Sequence, residues 1–166
     1  MRLYASTNSR LARLPLGARV FYTLFLVTVA MGLATCVAFA FAKSGLTTAE
    51  LAEYYRQEEL GLGGKPLLEL LETAHFHLFS MPIFFLVLGH IFFLSDWPER
   101  AKAPVIVGSF VAMITEVALP FLIVYHSAAW AALKNPSRAL LLVTFVIYIV
   151  VPLKEMWWDS RFEPDF

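Results

Sequence analysis

Charge is scarce in this sequence and cysteine is almost missing. Its 166 residues carry 13 Lys or Arg, 13 Asp or Glu, four histidines and one cysteine, with a formal net charge of zero. A balanced charge lacks the basic footprint of a nucleic-acid binder, so no nucleic-acid partner is expected. Cys36 lies inside an apolar run, and one thiol makes neither an intrachain disulfide nor a cysteine-based metal centre. Also missing are a nucleophile triad, a glycine-rich phosphate loop, a nucleotide-fold fingerprint and any internal repeat, so hydrolytic catalysis is not expected. Whether the chain is an enzyme of another kind stays open.

Apolar residues, in contrast, make up 59% of the chain and are gathered in long runs. A bilayer-crossing helix needs about 20 mostly apolar residues. Four stretches meet that length, at roughly 18–42, 67–94, 104–132 and 139–158. The chain therefore reads as an integral membrane protein in contact with lipid. The first stretch follows Arg2, Arg10, Arg13 and Arg19, and Ala40-Phe41-Ala42 mimics a signal-peptide cleavage site. Its apolar core exceeds the usual signal-peptide core, which predicts an uncleaved helix.

Basic residues set the expected orientation. Arg2, Arg10, Arg13, Arg19, Arg100, Lys102, Lys154 and Arg161 fall on one side, and Lys43, Arg56, Lys65, Lys134 and Arg138 on the other. This bias predicts a multi-pass protein of a bacterial-type inner membrane with both termini cytoplasmic. Tyr22, Trp97, Trp157 and Trp158 mark one interface, and Tyr125 and Trp130 the other.

The extramembrane segment 43–66 predicts a periplasmic cap. Thr47 or Thr48 can N-cap a short amphipathic helix over Ala49–Glu59 with Glu50 in its first turn, and Gly61, Gly63, Gly64 and Pro66 end it. Short connections at 95–103 and 133–138 make consecutive spans antiparallel neighbours. The expected fold is all-α, a single membrane domain over 1–166 built as an up-down-up-down four-helix bundle. Ala30, Ala34, Ala38 and Ala42 form a small-residue face that suits either packing within the bundle or a dimer contact.

All four histidines fall on the second and third spans. Ionisable side chains are costly there, so His75, His77, His90 and His126 are the first functional candidates. Pairing those spans about the 95–103 turn places His75 and His126 within about one helical turn in depth, near the periplasmic surface. His75 and His90 are separated by about 60° around a helix and a rise of roughly 22 Å, whereas His75 and His77 differ by about 160°. One regular helix therefore cannot aim both members of the His-x-His pair at one centre. Either His75 or His77 joins His126.

In this spacing the chain resembles the broad class of four-helix membrane cytochromes b, whose histidine pairs hold b-type haem between helices. The resemblance implies haem b between the second and third spans, electron transfer and exchange with membrane quinol. It implies His126 with His75 or His77 as axial ligands. His90 has no partner of equal depth within the chain. It is left to pair across a dimer interface, bind a five-coordinate haem, bond a quinone, or serve as an interfacial side chain without a cofactor.

A second reading needs no haem. Glu72 and His75 stand at Glu-x-x-His spacing, and with His77 or His126 they offer a site for Zn, Cu or Fe. Alternatively, Glu69 and Glu72 simply sit at the positive end of a helix, and the chain is a structural subunit. Glu116, twelve residues into the third span, is expected to be protonated or hydrogen-bonded. It suits either proton uptake beside a quinone or a hydrogen bond to Thr28, Thr144 or Tyr148. Pro120 cannot donate to the Glu116 carbonyl, which predicts a freed acceptor and a bend there. Both readings expect a homo-oligomer or membership of a larger membrane complex.

Overall fold

The computed structural model describes residues 11–158. Arg2, Arg10 and Arg161, which enter the charge bias, lie outside them. The described chain is all-helical: α1 (Leu16–Ser44), α2 (Thr48–Arg56), α3 (Leu67–Phe93), α4 (Glu99–Tyr125) and α5 (Lys134–Trp157), with 3-10 turns at Leu11–Arg13 and Ala128–Leu133. Four of these segments are long and apolar enough to cross a membrane, and a four-helix membrane bundle is the architecture.

The ends of the third and fourth spans differ from the sequence expectation. α4 stops at Tyr125 instead of continuing to 132, and α5 begins at Lys134 instead of 139. Hydropathy carries the apolar residues Ala128–Ala132 into the third span. The backbone turns there instead, with the Ser127 side chain capping the 3-10 turn through the amide of Ala129 at 3.2 Å. Lys134 and Arg138 thereby move from a connecting loop into the first turns of a membrane helix.

α3, α4 and α5 form the packed centre, and α1 lies chiefly against α5. On α3, Leu70, Ala74, Phe85, Leu88 and Phe92 are buried, with His77 and Met81 half-buried between them. That is an alternating three- and four-residue spacing, the stripe by which one helix packs another. Phe85, Leu88, Ile91 and Phe92 meet Met113 of α4, Phe145, Tyr148 and Ile149 of α5, and Leu26 of α1 in one core. The outward positions are equally apolar, as a lipid solvent allows. Tyr148, fully buried, satisfies its hydroxyl on Ser109 Oγ at 3.2 Å. Of the small-residue face, Ala30 packs against the core, whereas Ala34, Ala38 and Ala42 are exposed.

At the end where α1 begins and α5 finishes, Arg19 closes the bundle. Its guanidinium donates to the carbonyls of Leu14 at 2.7 Å, Ala12 at 2.6 Å and Met156 at 3.2 Å. At the opposite end α2 forms the lid. Thr47 is its N-cap: the Glu50 amide donates to Thr47 Oγ1 at 3.1 Å, and the Thr47 amide donates to Glu50 Oε2 at 2.8 Å. This is a complete capping box. Gly45 makes room for it, because it has φ +68° and any Cβ there would lie 2.5 Å from Glu50 Oε2. Leu51 and Tyr55 then bury against Leu70, Leu119, Ile123 and Ala131.

The amides of Thr47 and Leu46, with the Thr47 hydroxyl, hold the Glu50 carboxyl below its ordinary value of 4.5. The folded pKa is the lower one, so this support is complete above pH 4.5 and fades as pH falls through the depressed value. Hydrogen-exchange protection factors of the α2 amides should therefore drop in that acid range, and Glu50→Gln should abolish the pH dependence. Thr47→Ala should cost the cap about 1 kcal/mol at neutral pH, roughly a five-fold loss of protection.

Candidate functional site

The most concentrated polar chemistry lies beneath α2, where α4 and α5 meet. Pro120 has no amide hydrogen to give the carbonyl of Glu116, four residues earlier. Lys134 fills the vacancy: its Nζ donates to Glu116 O at 2.9 Å and to Glu116 Oε2 at 2.6 Å. One ammonium thus satisfies both the broken helix ladder and the carboxylate. Lys134 keeps only 4% of its side-chain exposure and Glu116 keeps 14%. Arg138, one turn along α5, brings Nε to 4.0 Å from Glu116 Oε2 and donates from Nη2 to Ser44 Oγ, at the end of α1, at 3.0 Å.

Tyr55 of α2 closes the group from above, its ring centroid 5.8 Å from Lys134 Nζ. Burial pushes its phenol well above the ordinary value, and Glu116 adds to the rise while Arg138 opposes it. The hydroxyl is therefore a neutral hydrogen-bonding group. Glu116 Oε1 and Arg138 Nη1 are buried without a hydrogen-bond partner.

Glu116 is thus hydrogen-bonded, as its depth required. Its partners are cations of α5, not Thr28, Thr144 or Tyr148. Thr28 donates to Leu24 O within α1, Thr144 to Leu141 O within α5, and Tyr148 meets Ser109. Lys134, Arg138, Tyr55 and Ser44 had not been singled out from sequence. The first two fell in the expected 133–138 connection, so their signal, two cations opposing the dipole in the opening turns of a helix, is readable only once α5 begins at Lys134.

The histidines are arranged differently. His75 and His90 are exposed on the outer side of α3, off the Leu70–Ala74–Leu88 stripe, and the His75 ring rests on Phe79 at 4.8 Å between centroids. His77 is half-buried on the stripe itself, with Nδ1 2.8 Å from Thr73 O. His126 caps the end of α4, exposed, and its Nδ1 accepts from Trp130 Nε1 at 3.1 Å. That bond occupies one ring nitrogen and leaves Nε2 as the outward one. Glu72 shares the exposed side with His75. Among the described residues, no three His, Cys, Asp or Glu side chains converge as a metal site. Haem ligated by His75 or His90 would therefore lie against the outer face of α3, since apolar side chains fill the seam facing α4.

Comparison with known families places this geometry in context. The model of a transmembrane helical domain family, Aq_1264_TM, matches residues 45–162. The match begins where α1 ends and takes in the cap and the three packed helices, leaving out the peripheral one. Searches of curated proteins and of solved structures found no match.

Removing one member of the buried pair should be costly. Lys134→Met strands both acceptors of Glu116 and should destabilise the protein by about 3–5 kcal/mol, read as a lowered midpoint of thermal unfolding in detergent. Pairing it with Glu116→Gln should restore part of the loss. A double variant no better than the single one would mean that the carbonyl contact, not the charge pair, carries the effect.

Proposed function

The chain belongs to the Aq_1264_TM family of transmembrane helical domains, and from that membership we propose that it is one subunit of a larger assembly in a bacterial-type inner membrane, with both termini cytoplasmic. The observation that carries this reading is the outward placement of His75 at a helix position inside an apolar span. The His75 ring rests on Phe79 there, and an imidazole facing acyl chains is costly. A neighbouring polypeptide removes that cost by hydrogen bonding, by ligation or by burial against its own helices. The exposed Ala34–Ala38–Ala42 stripe of α1 offers a second surface of close approach.

A second reading gives the same face a cofactor. Two imidazoles on one side of α3, about four turns apart, suit b-type haem completed by histidines of another copy or another subunit. In that form the assembly carries electrons between membrane quinol and a periplasmic partner. Ligation of Zn, Cu or Fe by His75 and Glu72 together with a neighbour is the non-haem version of the same arrangement.

Purification in mild detergent tests both readings. Light scattering should give a protein mass above the 18.7 kDa of one chain, and His75→Leu with His90→Leu should lower it or release a co-purifying partner. A monodisperse monomer unaffected by the double substitution would sink the assembly reading. A reduced-minus-oxidised visible spectrum decides the cofactor. A Soret band lost in His75→Ala or His90→Ala supports haem, whereas stoichiometric metal without Soret absorption supports the non-haem form.

A further inference from the structure

The cluster of Glu116, Lys134, Arg138 and Tyr55 leaves an electrostatic remainder that its own groups do not cancel. One carboxylate faces two cations. Both cations stand in the opening turns of α5, where the positive helix end adds to the same potential. Tyr55 cannot provide the missing negative charge, because burial keeps its phenol protonated. A buried excess charge is unfavourable unless something pairs with it. Two further defects lie in the same cluster: Arg138 Nη1 is a buried donor without an acceptor, and Glu116 Oε1 a buried acceptor without a donor.

These three deficits select a ligand chemistry. Water would satisfy both atoms and leave the charge. Chloride or a carboxylate would cancel the charge and give nothing to Glu116 Oε1. A phosphate monoanion does all three: an anionic oxygen accepts from Arg138 Nη1, a P–OH donates to Glu116 Oε1, and its single charge balances the cluster. Arg138 retains 21% and Glu116 14% side-chain exposure, while the two unpaired atoms themselves are buried. Ser44, at the end of α1, fixes the other Arg138 nitrogen and holds the guanidinium in place.

We infer that the Glu116–Arg138 cluster beneath α2 binds a phosphate monoanion, supplied by inorganic phosphate as dihydrogen phosphate or by a singly protonated phosphomonoester lipid headgroup. The test uses the full chain in phosphatidylcholine nanodiscs, with thermal unfolding and native mass spectrometry as readouts. One arm adds inorganic phosphate against equal chloride, and another includes phosphatidic acid among the lipids. A raised unfolding midpoint with a retained adduct is expected in at least one arm. A rise with phosphate alone identifies a soluble anion, and a rise with phosphatidic acid alone identifies a lipid. Arg138→Gln should lose the response. Arg138→Lys, which keeps the charge without the planar fork, should bind roughly ten-fold more weakly. Lys154→Gln, at the other end of the bundle, should respond like the parent. No response in either arm overturns the inference, as does an undiminished response in Arg138→Lys, which decides the matter should Arg138→Gln fail to fold.

Discussion

The ammonium of Lys134 holds the capped end of this bundle together, because it answers a vacancy that Pro120 creates. A proline inside a membrane helix leaves a carbonyl that water cannot reach, and that carbonyl must be satisfied by protein. Here the donor comes from another helix and brings a charge with it. Glu116, the residue whose carbonyl is freed, supplies the neutralising carboxylate. The start of α5 is thereby fixed against the middle of α4, and Arg138, one turn on, is aimed at the end of α1. The lid α2 rests on that platform through Tyr55. Four elements meet at one ion pair.

The remainder of the bundle follows a simpler constraint. Apolar residues cover both the inside and the outside of every long helix, so hydrophobicity alone does not decide which side faces a neighbour. Side-chain fit decides it, along the stripe from Leu70 to Phe92 on α3 and its counterparts around Met113 and Tyr148. The few polar groups in the seam are satisfied locally, as Ser109 and Tyr148 are by each other. His75 and His90 are the outward exception on α3, and their position draws attention from the centre of the bundle to its surface. The family match covers α2 to α5 and leaves out α1.

Much of this was legible without coordinates. The four spans, the all-helical class, a cap at Thr47 or Thr48 with Glu50 in the first turn and the acceptor freed by Pro120 all follow from local rules. Those rules concern residues at most four positions apart, and such residues determine one another's backbone directly. The ends of the third and fourth spans were not legible. Ala128–Leu133 is apolar and helix-compatible, and only the return of the chain to Glu116 makes it a turn.

The sequence by itself determined how many membrane-crossing helices there are, that Thr47 or Thr48 caps a short helix between the first two, and that Glu116 needed a partner. Tertiary structure decided who the partner was, which side of α3 the histidines occupy, and that Lys134 and Arg138 belong inside the bundle. The reason is physical. Composition and spacing fix the cost of burying a charge or an unpaired carbonyl. The group that meets the cost stands 18 residues away, and only the packing of α5 against α4 brings it within 3 Å.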